Sequence, residues 1–153
     1  MATTTHPAEP PSLGIEELDA DHRRIADLVK RIAGVAEDAP REGPGRQLAG
    51  GMLRQLHAVT RIHFRKEESL MEAIGYADRA DHRREHMMLL AELKVFIRNI
   101  ERGDETLSPK TVERLQQWLV GHIVQSDRPL ARVLRSGRGG RPTELSTSHW
   151  ESA

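Results

Sequence analysis

The stretch HFRKEESLM, residues 63–71, decides how this chain folds and what its interior must hold. His63 and Glu67 stand four residues apart, so on a helix both side chains leave the same face, one turn above the other. Apolar residues continue that face at steps of three or four: Leu48, Met52, Leu56 and Val59 before the pair, Leu70 and Ile74 after it. A helix with such a stripe buries it, and a buried carboxylate without a partner costs several kcal/mol. Glu67 therefore needs a cation inside the fold.

Three further stretches repeat the pattern. His22 interrupts the stripe Ile15, Leu18, Ile25, Val29, Ile32 and Ala36. His82 and His86, again four apart, lead a stripe through Leu89, Leu93, Ile97 and Ile100 that ends near Gly103. A fourth helix opens at Ser108 and Pro109, a capping residue followed by proline at the first helical position, and runs through Val112, Leu115, Leu119, His122, Ile123, Leu130 and Leu134. Breakers separate the stripes: Pro40, Gly43, Pro44 and Gly45 after the first, and Gly75 after the second. Short connections favour antiparallel neighbours, so the expected fold is all-α, an up-down-up-down four-helix bundle over residues 13–135. Residues 1–12, rich in Thr, Pro and Ala, are expected to be mobile, and residues 136–153, which include Trp150, carry no stripe and are expected to be disordered.

His22, His63, Glu67, His82, His86, His122 and Asp127 thus form a candidate metal set. One core histidine is more often a structural hydrogen-bonder than a ligand. Five of them with two carboxylates, spread over all four helices, reverse that weighting. Seven such donors exceed what one ion takes and suit two transition-metal ions. His122 and Asp127 fit least well, because five residues of regular helix turn by about 140°. Pro129 lacks the N–H that would bond Gln125, so unwinding at Gln125–Arg128 is expected to turn Asp127 inward. His6 and His149 lie in the loose ends, and His57 falls off the inner stripe and should face solvent. Glu68 and Glu72 read as surface charges.

Composition narrows the remaining classes. The chain has 153 residues, 37% hydrophobic and 30% charged, with zero net charge and no cysteine. That suits amphipathic helices with one wet face each, and it removes the basic footprint of a nucleic-acid binder, any disulfide frame and any thiolate site. The arginines at 128, 132, 135, 138 and 141 read as a solvated helix end whose cations suit the negative C-terminus. The start lacks a cationic segment followed by an apolar one, and the run Met87 to Ala91 is far too short to span a bilayer. A cytoplasmic protein without membrane insertion is expected.

The stretches LDADH ending at His22, HFRKEESLM, GYADRADHRREH ending at His86 and WLVGHIVQSD ending at Asp127 are similar to those of the bacterial hemerythrins, and the likeness spans roughly residues 13 to 134. The resemblance implies a non-haem di-iron centre that reversibly binds dioxygen. It places His82, His86 and His122 on one iron, and His22 and His63 on the other, which keeps an open position. Glu67 and Asp127 bridge both ions together with an oxo or hydroxo group. It also implies an apolar oxygen pocket of Ile25, Phe64, Trp118, Leu119 and Ile123, positions that read equally as ordinary core. Ala77 stands where many relatives have proline.

Oxygen storage, delivery or sensing is therefore the leading expectation, and the protein is expected not to be an enzyme beyond weak peroxidase-type activity. The alternatives are a di-iron peroxidase, oxidase or nitric-oxide-handling enzyme, and an iron-storage or iron-sensing module whose protein partner the sequence does not name. Carboxylate-rich di-iron enzymes of the ferritin type repeat Glu-x-x-His. Here the residues three before the histidines are Asp19, Thr60, Arg79, Arg83 and Leu119. Imidazole and carboxylate donors alone would also accept zinc, manganese or cobalt.

Overall fold

The computed structural model describes residues 9–38 and 44–139. The chain forms α1 (Glu16–Asp38), α2 (Pro44–Ala73), α3 (Arg79–Arg102) and α4 (Pro109–His122). A π-helical turn, Ile123–Asp127, then leads directly into α5 (Arg128–Gly139). The last three segments make one continuous arm, so four antiparallel arms build the bundle, as the stripes predict, and the described residues include no strand. Helix α1 packs on α2 and α4, and α2 packs on α3. Among the described residues, no helix is long and apolar enough to cross a membrane.

Local chemistry explains the boundaries. Ser108 caps α4: its hydroxyl accepts from the Thr111 N–H at 3.3 Å, and the Thr111 hydroxyl accepts from the Ser108 N–H at 2.8 Å, with Pro109 first in the helix. Gly103 ends α3 in the left-handed region, φ 78°, with its N–H directed at the carbonyls of Asn99 and Ile100. A side chain there would be strained and would also meet the Arg46 guanidinium at 3.0 Å.

The inner stripes meet in one core that includes Leu18, Ile32, Leu53, Leu56, Met71, Ile123 and Leu130, none with measurable exposure. The ends of the second stripe do not join it. Leu48 and Ile74 are both exposed: Leu48 stands beside the buried Ala49 in the first turns of α2, and Ile74 lies just past its last residue, Ala73. The chain ahead of α1 is held more firmly than its composition suggests. The Asp19 carboxylate, itself buried, accepts from the Leu13 N–H at 2.7 Å, the Gly14 N–H at 3.2 Å and the Ser12 hydroxyl at 2.9 Å. Arg135 of α5 donates to the Leu13 carbonyl, so one arginine of the terminal series ties two arms together. Helix α5 continues four residues past the expected boundary at 135, and residues 1–8 and 140–153, with His6, His149 and Trp150, lie outside the described part.

Replacing the fully buried Leu56 with alanine is expected to lower the unfolding free energy by about 2–5 kcal/mol, measured by denaturant titration. A loss below about 1 kcal/mol would show that α2 does not pack as described.

Candidate metal centre

Each arm contributes to one buried cluster midway along the bundle. His22 projects from α1, His63 and Glu67 from α2, His82 and His86 from α3, and His122 from the last position of α4. Asp127 ends the π-helical turn. In that turn the Arg128 N–H bonds the Ile123 carbonyl, five residues back. A turn closed by i→i+5 bonds brings residues five apart onto one face, which resolves the awkward spacing of His122 and Asp127. The unwinding expected at Gln125–Arg128 is present, centred slightly earlier at 123–127. Pro129 accounts for its location, since a regular helix here would need the N–H that proline lacks.

The seven side chains fall into two overlapping groups. Glu67, His82, His86, His122 and Asp127 form one, and His22, His63, Glu67 and Asp127 form the other. Glu67 and Asp127 belong to both, and all seven residues are buried. Asp127 Oδ1 lies 3.1 Å from His82 Nε2 and 3.0 Å from His122 Nε2, while its Oδ2 lies 3.1 Å from His22 Nε2. Glu67 Oε2 lies 3.3 Å from His82 Nε2, and its Oε1 touches His63 Nε2. His22 and His63 bring their Nε2 atoms within 3.1 Å of each other.

These separations fit a metal centre better than a hydrogen-bond network. Donors bound at about 2.1 Å in neighbouring positions of an octahedral ion lie about 3 Å apart. Both Glu67 oxygens, Asp127 Oδ2, and Nε2 of His86 and His122 make no hydrogen bond although all are shut away from solvent. Unsatisfied buried groups of this kind cost free energy, and so many converging on one place call for a common partner. The donor set, imidazole and carboxylate only, suits iron.

Without metal, the buried imidazoles and carboxylates perturb one another strongly. Burial alone would depress the imidazole pKa of His63, but the carboxylates of Glu67, Asp21 and Asp127 outweigh it and raise the value to about 9. Burial likewise opposes protonation of His82, and Asp127 and Glu67 lift it to about 9. Burial pushes the Glu67 carboxyl upward, yet His63, His82 and His86 hold it well below its usual range. Asp127 is pushed up by burial and by Glu67, and the imidazoles of His122, His22 and His82 still bring it below its ordinary value.

Three outer carboxylates support the inner ring, and sequence reasoning missed them as such. Asp21 Oδ2 is 2.9 Å from Nδ1 of His63, Glu68 Oε1 is 3.1 Å from Nδ1 of His86, and Glu85 Oε1 is 3.1 Å from Nδ1 of His122. A carboxylate on Nδ1 fixes the proton there and turns the Nε2 lone pair inward, as metal-bound imidazoles require. Glu68 is therefore not the plain surface charge its spacing suggests, because it sits at the seam where α2 meets α3. His57 is half-buried rather than solvent-facing, yet it belongs to neither donor group. Of the expected apolar pocket, Ile25, Phe64, Leu119 and Ile123 are buried. The Phe64 ring stacks on His86 with centroids 3.8 Å apart. Trp118 is half-buried and lines a groove of about 260 Å³ between α3 and α4, with Leu93, Phe96 and Leu115.

Residues 13–134 match the family model described as the hemerythrin HHE cation binding domain. The chain belongs to the hemerythrin family. It is 29% identical to a bacteriohemerythrin of Methylococcus capsulatus over 128 residues, 84% of this chain and 94% of that protein. It is 30% identical to myohemerythrin-1 of Phascolopsis gouldii over 112 residues, 73% of this chain and 79% of that one. A crystal structure of wild-type hemerythrin superposes with a TM-score of 0.71 at 27% identity, covering 88% of this chain and 98% of the other. Hemerythrins bind dioxygen on a non-haem di-iron centre with histidine, glutamate and aspartate ligands, and the cluster described above has that composition. The hemerythrin family is in general non-enzymatic.

His82→Ala is expected to leave the helical circular-dichroism signal unchanged while iron falls below two per chain by elemental analysis; two irons retained would contradict the grouping. The metal-free protein should also show a defined pH dependence. Raised histidine values add stability that is complete below pH 6.5 and fades as pH climbs to about 9. Lowered carboxylate values add stability that is present above 4.5 and 3.8 and fades on acidification. Its melting temperature should peak between about pH 5 and 6.5, and a rise from pH 6.5 to 9 would contradict this reading.

Proposed function

We propose that this hemerythrin stores or carries dioxygen in the cytoplasm, with each cluster residue in a defined role. His82, His86 and His122 would hold one iron, and His22 and His63 would hold the other. Glu67 and Asp127, which belong to both groups, would serve both ions. The observation that carries the assignment is that the three-histidine and two-histidine groups share two residues only, and both are carboxylates. A carboxylate has two oxygens and can serve two ions, whereas a histidine in this setting offers one inward nitrogen.

When bound, the iron pair supplies the electrons that dioxygen takes up and returns. The protein's own residues set the conditions. His22 and His63 would give their ion one imidazole fewer than its neighbour receives, so a small ligand would bind on that side. Ile25, Phe64, Leu119 and Ile123 wall the cluster with apolar surface and keep water away, which slows loss of the ligand and oxidation of the metal. Trp118 lines the groove between α3 and α4, whose lining includes none of the metal-donor residues.

Carriage is favoured over turnover by the placement of the nearby acids. Asp21, Glu68 and Glu85 each engage a histidine Nδ1, so none stands free as a proton donor beside the ligand position. Anaerobic loading with ferrous iron followed by air is expected to produce a visible ligand-to-iron absorption band that disappears on deoxygenation and returns on re-exposure. Prompt irreversible bleaching, or steady consumption of peroxide or nitric oxide by the iron-loaded protein, would overturn the carrier reading in favour of an enzyme.

A further inference from the structure

Glu85 lies on α3 between His82 and His86, yet its side chain crosses to the fourth arm. One oxygen is 3.1 Å from Nδ1 of His122, and the other accepts a hydrogen bond from the Ser126 hydroxyl. His122 immediately precedes the π-helical turn, and Ser126 is its second-last residue, directly before Asp127. The two contacts therefore bracket the segment that brings Asp127 into the cluster. Such turns are rare because the α-helix they interrupt is the better-bonded form. Pro129 removes the bond that Gln125 would accept in a regular helix, which permits the wide turn without fixing its orientation. Something outside the fourth arm has to do that, and Glu85 spans the distance.

We propose that Glu85 is a positioning residue of the metal centre, whose two oxygens clamp both ends of the π-helical turn. One holds His122 with Nε2 inward, and the other holds Ser126 so that Asp127 reaches both donor groups. This inference rests on the metal assignment above. Asp21 and Glu68 orient His63 and His86 on regular helices, where spacing already sets the direction of the ring. Glu85 differs because it acts on a stretch whose backbone geometry is itself at stake. A carboxylate is not needed for this. Glutamine in the same place would accept from His122 Nδ1–H through its carbonyl and donate to the Ser126 oxygen through its amide.

The test compares Glu85→Ala, Glu85→Gln and Ser126→Ala in the full chain with two readouts. One is cobalt(II) affinity, measured by chelator competition. The other is amide hydrogen exchange of residues 123–128 in the metal-free protein. Glu85→Ala is expected to weaken metal binding roughly 10- to 100-fold and to speed exchange in that segment about tenfold. Ser126→Ala should speed exchange there with a smaller loss of affinity, and Glu85→Gln should restore both readouts to near the parent values. Parent-like affinity and exchange in Glu85→Ala would overturn the clamp, as would Glu85→Gln behaving like Glu85→Ala, which would assign the effect to charge alone. If Glu85→Ala does not fold, Ser126→Ala decides, and unchanged exchange at 123–128 overturns the proposal. Failure of the parent protein to bind metal would sink the metal assignment, while the exchange comparison would still report on the clamp.

Discussion

Two carboxylates sealed inside a helical bundle are the constraint on which the rest of this structure depends. Glu67 and Asp127 have no measurable exposure, and each faces imidazole nitrogens in place of water. Burying a carboxylate is costly unless it is paired and coordinated. The protein answers with five histidines on four arms, and the outer acids Asp21, Glu68 and Glu85 hold three of those rings in orientation. The charge balance, the raised histidine values and the unsatisfied inner atoms all follow from that placement. A pair of cations at the centre would neutralise the two carboxylates and engage the unsatisfied inner atoms at once, taking the place of the imidazole protons.

The bundle supplies rigidity and one deliberate irregularity. Three of the arms present their donors through ordinary helical spacing, with residues four apart on α2 and α3. The fourth arm cannot do so, because His122 and Asp127 are five apart, and there the helix widens into a π-helical turn. That turn is bounded by Pro129, which opposes a regular helix, and by Glu85, which contacts both its ends. The π-helical turn is thus the part of the backbone that carries Asp127. π-helical turns are often found at functional sites, and this one shows a mechanical reason.

Much of this was legible in the residues alone, and the limits have physical causes. The stripes around His22, His63 and His86 predict the helices because periodicity records which face is buried. The interrupted stripes predict the cluster because polar residues at core positions demand partners. Periodicity does not record which members of a stripe a neighbour covers, so it extends the buried face to Leu48 and Ile74, which are both exposed. It also cannot separate Asp21, Glu68 and Glu85 from other acids on helix flanks, since their partners lie on neighbouring elements or, for His86, across the α2–α3 seam. The same holds for Asp19, which anchors residues 12–14 through contacts that depend on the local path of the chain. Pro129 did betray the irregular turn, because its missing N–H is a local fact.

Anomalous diffraction at the iron edge, from crystals of anaerobically reconstituted protein, tests the central claim most directly. The account predicts two strong peaks inside the bundle, under about 4 Å apart, with Glu67 and Asp127 each contacting both. A single peak, no peak, or iron bound outside the ring of His22, His63, His82, His86 and His122 would contradict it.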